Sequence, residues 1–159
     1  MIEAGEVAPP FGGRDQDGNE VRSEDLLQKG PVVLYFYPKD FTPGCTKESC
    51  LFRDAFEDLR GLGASIVGVS ADDGESHRKF AARYQLPFPL LSDPDRALAK
   101  SYGIVRPFGL GARRVTFVIG TDGKVRGVFH HEISMSRHVS DVRALLGRMA
   151  GEQGIAATR

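Results

Sequence analysis

Residues 34–54 read LYFYPKDFTPGCTKESCLFRD, an apolar and aromatic run that breaks at a proline-rich turn and continues as a helical pattern. Val32–Tyr37 is rich in β-formers and shows no polar alternation, as expected of a central strand buried on both faces. Pro43 suits the first turn of a helix, with Thr42 before it at the capping position. Leu51, Phe52, Phe56 and Leu59 then recur at helical spacing until Gly61 and Gly63. Both cysteines of the chain, Cys45 and Cys50, lie in this one strand–turn–helix unit.

The remaining chain alternates strands and helices around it. The turn signal Asp15–Asn19 separates Phe11–Arg14 from Glu20–Arg22 and predicts an N-terminal hairpin. Ser23 is expected to cap a short helix, Glu24–Gln28, that Gly30 ends. Ser65–Ser70 (SIVGVS) reads as a second buried strand. Asp72 or Asp73 caps a helix through Tyr84, with His77, Phe80 and Ala81 on one side. Pro87–Leu91 reads as a short strand and Arg96–Tyr102 as a short helix. Residues 104–113 form a loop, and Val115–Gly120 and Lys124–Phe129 form a hairpin through Thr121-Asp122-Gly123. Ser136 is expected to cap a closing helix to about Met149, with Val139, Val142, Leu145 and Leu146 facing inward. No repeat or linker divides the chain. Residues 1–159 are therefore read as a single domain, with 151–159 as a loose tail. The element order implies an α/β class with a thioredoxin-like fold: a central mixed β-sheet flanked by helices, with an N-terminal β-hairpin extension.

Charge excludes some functions. Lys plus Arg and Asp plus Glu each number 21, so the formal net charge is +0 and no nucleic-acid or membrane-surface partner is expected. No apolar run approaches the ~20 residues that span a bilayer. The N-terminal MIEAGEVAPPF lacks the apolar region of a secretory signal, so a cytoplasmic location is expected. In a reducing compartment two nearby thiols point to redox chemistry or a metal rather than a structural bridge.

Cys45 falls in the first turn of the predicted helix, where free backbone N–H groups and the positive dipole end favour a thiolate. A thiolate is the nucleophilic form. The Thr42 hydroxyl, three residues earlier, can face the sulfur, and Pro38 and Pro43 stiffen the turn and can shield it from water. Glu48 shares the Cys45 side of the helix and on its own disfavours the thiolate, so its presence calls for a compensating cation. Cys50 follows Cys45 by five residues. An ideal helix separates their Cα atoms by roughly 8.5–9 Å, whereas a disulfide needs them within about 7 Å. The two cysteines can therefore bridge only if the helix unwinds locally, unlike a Cys-x-x-Cys pair.

Pro38, Thr42 and Cys45 stand in the pattern Pro-x-x-x-Thr-x-x-Cys, and the string DFTPGCTKESCLFRD surrounds them. The chain here resembles the peroxiredoxin family, and within it the bacterioferritin-comigratory-protein or peroxiredoxin Q subfamily of atypical two-cysteine enzymes. The resemblance extends from about Ala4 to Gly147. It implies a thiol-dependent peroxidase acting on hydrogen peroxide and organic hydroperoxides. Cys45 would be the peroxidatic cysteine, oxidised to a sulfenic acid. Cys50 would be the resolving cysteine, closing an intramolecular disulfide. Thr42 would hydrogen-bond sulfur and peroxide, and Pro38 would shield the pocket. The family arginine maps to Arg114 in Arg114-Val115-Thr116-Phe117. Arg113 is the rival, on the opposite face of a strand. Glu48 matches the family glutamate that positions the arginine. The resemblance implies reduction by thioredoxin or a similar dithiol protein, no metal, haem or flavin cofactor, and a monomer with a weak dimer as the alternative. Two features depart from the family: Ser49 stands where alanine is common, and the 104–113 loop is short and poor in lysine.

Other readings of the same residues stay open. A protein thiol–disulfide oxidoreductase is disfavoured by the five-residue spacing, and a peroxide-sensing relay or interaction protein would use the same switch. Free cysteines are often inert core residues. A zinc site lacks the usual ligand spacing and a nearby histidine. His130 and His131 point to opposite faces of a strand, and His77 and His138 are expected at the surface.

Overall fold

The computed structural model describes residues 1–152. The chain starts with the expected antiparallel hairpin, β1 (Gly12–Arg14) and β2 (Glu20–Arg22), followed by α1 (Ser23–Lys29). Next come β3 (Val32–Phe36), α2 (Pro43–Gly61), β4 (Ser65–Ser70), α3 (Gly74–Tyr84) and β5 (Leu90–Ser92). A short helix α4 (Ala97–Ser101) leads through a loop to β6 (Val115–Ile119), β7 (Val125–His130) and α5 (Met135–Glu152).

The main sheet has the order β5-β4-β3-β6-β7. The strand at its centre is the one read from the sequence as buried on both faces, and all five of its residues are buried. It pairs in parallel with β4, Leu34 opposite Val67, and antiparallel with β6, Leu34 opposite Phe117. The result is the thioredoxin-like mixed sheet. Alternation along β3 separates two cores. Val33 and Tyr35 join Phe52 and Leu59 of α2, Phe80 of α3, and Val142 and Leu146 of α5 on one face. Leu34 and Phe36 join Phe11, Val21, Tyr102 and Phe117 on the other, against which Leu26 and Leu27 of α1 pack.

Several boundaries differ from expectation. Ser23 does not cap α1. Its hydroxyl accepts a bond from the Phe11 N–H at 3.1 Å, tying the hairpin to the helix instead. Asp73, rather than Asp72, caps α3 by accepting from the Ser76 N–H at 2.8 Å. The strand expected at Pro87–Leu91 begins only at Leu90. The Gln16 side-chain amide donates to the Phe88 carbonyl at 3.0 Å and accepts from the Leu90 N–H at 2.8 Å, while Pro87 and Pro89 have no N–H to give to a longer ladder.

α5 starts at Met135, one residue before Ser136, so Ser136 is not its cap. Its buried stripe is Met135, His138, Val142, Leu146, Met149 and Ala150, while Val139 and Leu145 are only partly buried. The helix continues to Glu152, so the expected loose tail does not begin at 151; residues 153–159 lie outside the described part. His77 and His138, expected at the surface, are both fully buried. No helix among the described residues is long and apolar enough to cross a membrane.

Candidate active site

The chain leaves β3 at Tyr37 and turns through Pro38–Phe41 before entering α2. This turn is held from both sides. The Asp40 N–H donates to the Asp72 carboxylate at 2.7 Å. The buried Asp40 carboxylate accepts from the Tyr37 hydroxyl at 2.6 Å and the Ser76 hydroxyl at 2.8 Å, and lies 2.7 Å from His77 Nδ1. His77 Nε2 reaches the Leu91 carbonyl at 3.1 Å. Asp40, Asp72 and His77 bring three potential ligand atoms within 4.8 Å of one another, and these bonds engage all of them. They act as a latch that fixes the turn to α3 and β5.

Phe41 adopts a left-handed conformation with φ 65°. That conformation is strained for a residue with a side chain and persists where packing enforces it. Here the Phe41 ring packs on Phe80 and Tyr84, with centroids 5.1 and 6.4 Å away.

Thr42 occupies the position before the helix, as expected, but its side chain makes no capping bond. Its hydroxyl donates to the Lys39 carbonyl at 2.8 Å. Cys45 is the third residue of α2 and is fully buried. Pro38 and Pro43 are exposed. Cys50, half-buried, follows in the same unbroken helix, and both cysteines are free thiols. Ser49, the departure noted in the sequence, is buried and bonds the Tyr35 hydroxyl at 2.9 Å.

Pairing of β6 with β3 sets Val115 opposite Phe36 and so delivers Arg114 to the end of the strand that leads to the turn. Its guanidinium donates from Nη2 to Cys45 Sγ at 3.3 Å and from Nη1 to Glu48 Oε1 at 2.9 Å. The Arg114 backbone N–H donates to Glu132 Oε2 at 3.2 Å. Arg113 is partly exposed and lines a depression with Arg106, Pro107, Leu110, His130 and Glu132. Of the two candidate cations, Arg114 is thus the one brought to Cys45 and Glu48. Gly44 makes room for it: a Cβ at that position would lie 3.1 Å from Arg114 Nη2.

Burial works against the Arg114 charge, but the neighbouring Glu48 and Cys45 outweigh it and raise the affinity for its proton. Burial pushes Glu48 up to about 7 even though Arg114 opposes the shift. The arrangement places a buried sulfur at a helix N-terminus, under a cation that can hold a thiolate and the charge of an oxygen leaving it.

Residues 4–128 match the AhpC/TSA family. The chain belongs to that family, within the peroxiredoxins. A peroxiredoxin Q, chloroplastic, from Sedum lineare is 41% identical over 146 residues, which are 91% of this chain and 78% of that protein. The solved structure of peroxidoxin BcpB from Mycobacterium tuberculosis is 40% identical with a TM-score of 0.89, over 94% of this chain and 99% of that one. Xanthomonas campestris bacterioferritin comigratory protein, solved in work on its alkyl peroxide reduction activity, is 32% identical with a TM-score of 0.81, over 88% of this chain and 92% of that one. As a peroxiredoxin of the Q type, the chain is a thiol-dependent peroxidase.

The sequence reading missed the Asp40–His77 latch, Gly44 and His138. His77 shares one helix side with Phe80 and Ala81, and His138 recurs at helical spacing with Met135 and Val142. That periodicity was the available signal for both histidines.

Proposed function

We propose that Cys45 is the peroxidatic cysteine, Cys50 the resolving cysteine, and Arg114 the group that holds the thiolate. The observation that carries this reading is the 3.3 Å contact from Arg114 Nη2 to a buried sulfur at the start of α2. The Cys45 thiolate attacks the terminal oxygen of a hydroperoxide. The O–O bond breaks, the terminal oxygen and its hydrogen stay on Cys45 as a sulfenic acid, and the departing alkoxide or hydroxide takes a proton from water. Cys50 then attacks that sulfur, water leaves, and a disulfide forms. Glu48 orients Arg114 through its 2.9 Å bond. Thr42 already gives its hydroxyl proton to Lys39, so its oxygen is an acceptor suited to the O–H of a hydroperoxide. Pro38, at the exposed bend beyond β3, shields the approach to the sulfur.

The disulfide requires α2 to unwind between Cys45 and Cys50, because an intact helix holds them too far apart. The strained Phe41 supports such a change: release of a left-handed residue recovers about 1–3 kcal/mol. Hydrogen peroxide and organic hydroperoxides are the substrates, in keeping with the alkyl peroxide activity of the Xanthomonas relative. A thioredoxin-type dithiol protein reduces the disulfide and needs no metal, haem or flavin. The chain acts as one domain and as a monomer, with a weak dimer as the alternative; the placement of both cysteines in one helix supports an intrachain rather than an interchain disulfide. A cytoplasmic setting suits thiols that must be returned to the reduced state.

Cys50→Ser tests the division of labour. The first oxidation by peroxide is expected to keep its wild-type rate, with a sulfenic acid at Cys45 that a dimedone probe captures. Thioredoxin-driven turnover is expected to collapse. Steady-state turnover at the wild-type rate refutes the resolving role.

A further inference from the structure

Tyr35 of β3 is fully buried, and its hydroxyl lies 2.9 Å from that of Ser49, fully buried in α2; either can donate. β4 makes room for this contact. Gly68 stands opposite Tyr35 in the parallel register, and a Cβ there would lie 2.8 Å from Tyr35 Cζ and 2.9 Å from Tyr35 Oη. The Tyr35 ring also stacks on Phe52 with centroids 4.7 Å apart. One side chain of the central strand thus holds α2 at two points, by a hydrogen bond at Ser49 and by a ring face at Phe52.

Ser49 lies inside the stretch that has to open. It stands one residue before Cys50, and an intact helix keeps Cys45 and Cys50 too far apart to bond. Backbone that swings Cys50 toward Cys45 withdraws Ser49 from Tyr35, whereas Phe52, beyond Cys50, can keep its stacking. Among the described residues, the other side-chain hydrogen bonds of residues 45–50 belong to Cys45 and Glu48, and both go to Arg114. The Ser49–Tyr35 bond ties this stretch to the sheet without passing through the guanidinium or the reacting sulfur.

We propose that Ser49 and Tyr35 are positioning residues of the peroxidase: their buried hydrogen bond pins the Cys45–Cys50 stretch in its helical form and so sets how fast the disulfide closes, without entering the oxidation step. The inference rests on the roles of Cys45 and Cys50 proposed above. In closure the Cys50 sulfur displaces the oxygen of the Cys45 sulfenic acid: Cys45–SOH and Cys50–SH give the Cys45–Cys50 disulfide and water. Opening the helix breaks the 2.9 Å bond first, so the strength of that bond enters the closure rate.

The test follows free Cys50 by quenched-flow alkylation after reduced protein meets enough hydrogen peroxide that oxidation no longer limits. Tyr35→Phe removes one hydroxyl and keeps the ring on Phe52, while Ser49 can turn its own hydroxyl to the carbonyl one turn back, as serine does in helices. Closure is expected to become about fivefold faster, the factor that one net hydrogen bond contributes. Ser49→Ala strands the Tyr35 hydroxyl in the helical form, and closure is expected to become about twentyfold faster. Adding Tyr35→Phe to Ser49→Ala removes the stranded group, so the double variant is expected to fall back to about fivefold. Peroxide consumed in the first oxidation is expected to keep its wild-type rate in all three. Amide hydrogen exchange of the reduced proteins, without peroxide, is expected to speed up over residues 45–50 and not over β3. Unchanged or slower closure in Tyr35→Phe overturns the proposal. A double variant faster than either single one does the same, since it marks additive loosening of the core. A wild-type protein that forms no Cys45–Cys50 disulfide would instead count against the resolving role of Cys50, and the exchange measurement still decides whether the pin exists.

Discussion

Cys45→Ser is expected to abolish peroxide consumption, with a loss of roughly four orders of magnitude or more, the scale seen when a catalytic nucleophile is removed. The substitution changes one atom, and the serine hydroxyl fits the buried site at the start of α2. The fold is therefore expected to survive, with far-UV circular dichroism unchanged. What is lost is acidity. A thiol yields its anion far more readily than a serine hydroxyl does, and the anion is the nucleophile. Stopped-flow peroxide consumption under single-turnover conditions checks this. Turnover at the wild-type rate in the variant would move the reaction away from Cys45 altogether.

Arg114→Ala is expected to slow oxidation by about 10²–10³-fold, the usual cost of losing a preorganised donor at a developing negative charge. The same change breaks the 2.9 Å pair with Glu48. Removing one partner of a buried pair ordinarily costs about 3–5 kcal/mol because the other charge is stranded. Here the cost is expected to be smaller. Burial already pushes Glu48 to about 7, so the stranded carboxylate can escape by taking up a proton. The variant is thus expected to fold but react slowly, and to lose stability as pH rises from the free carboxyl range toward a folded-state value that, without the lowering effect of Arg114, lies above 7. Over that range the unfolded chain gives up the proton while the buried carboxyl keeps it; above the folded-state value both are ionised and stability levels off. Arg113→Ala, at a partly exposed side chain pointing elsewhere, is the control and is expected to be mild. Thermal melts from pH 6 to 8, beside the oxidation rates, separate the two effects. A reversed ranking of the two arginines would transfer the role to Arg113.

Much of this arrangement was legible in the residues, for physical reasons. Val32–Tyr37 has the composition of a doubly buried strand, and it sits at the sheet centre. Pro43 marks the start of α2, which places Cys45 in the first turn. Arg114 was reached through a resemblance rather than a local pattern. Its proximity to Cys45 arises from β6 pairing with β3, a contact between residues 69 apart that no helical or strand period encodes. The side-chain bonds were harder still. Thr42 and Ser23 each stand at a helix start and look like caps, yet their hydroxyls serve the Lys39 carbonyl and the Phe11 N–H. Tertiary geometry decided between partners that local sequence leaves equivalent.

The buried histidines show the opposite failure. Their helical spacing pointed inward, but a titratable side chain is normally expected at the surface unless it is paired. Asp40 and Leu91 provide partners for His77, and Thr116 and His131 for His138, all from other elements of the fold. Each histidine could be buried because tertiary structure supplied both ring nitrogens with a bond.

The central claim is that the start of α2 exists in two states, one presenting a reactive Cys45 and one carrying a Cys45–Cys50 disulfide. Treatment of the reduced protein with one equivalent of hydrogen peroxide, followed by alkylation, peptide mapping and amide hydrogen exchange, tests it most directly. The account predicts a single intrachain link between Cys45 and Cys50 and loss of exchange protection over residues 43–50, restored by a dithiol. An oxidised protein in which Cys50 is still free to alkylate, or a linked protein in which residues 43–50 keep full protection, would contradict it.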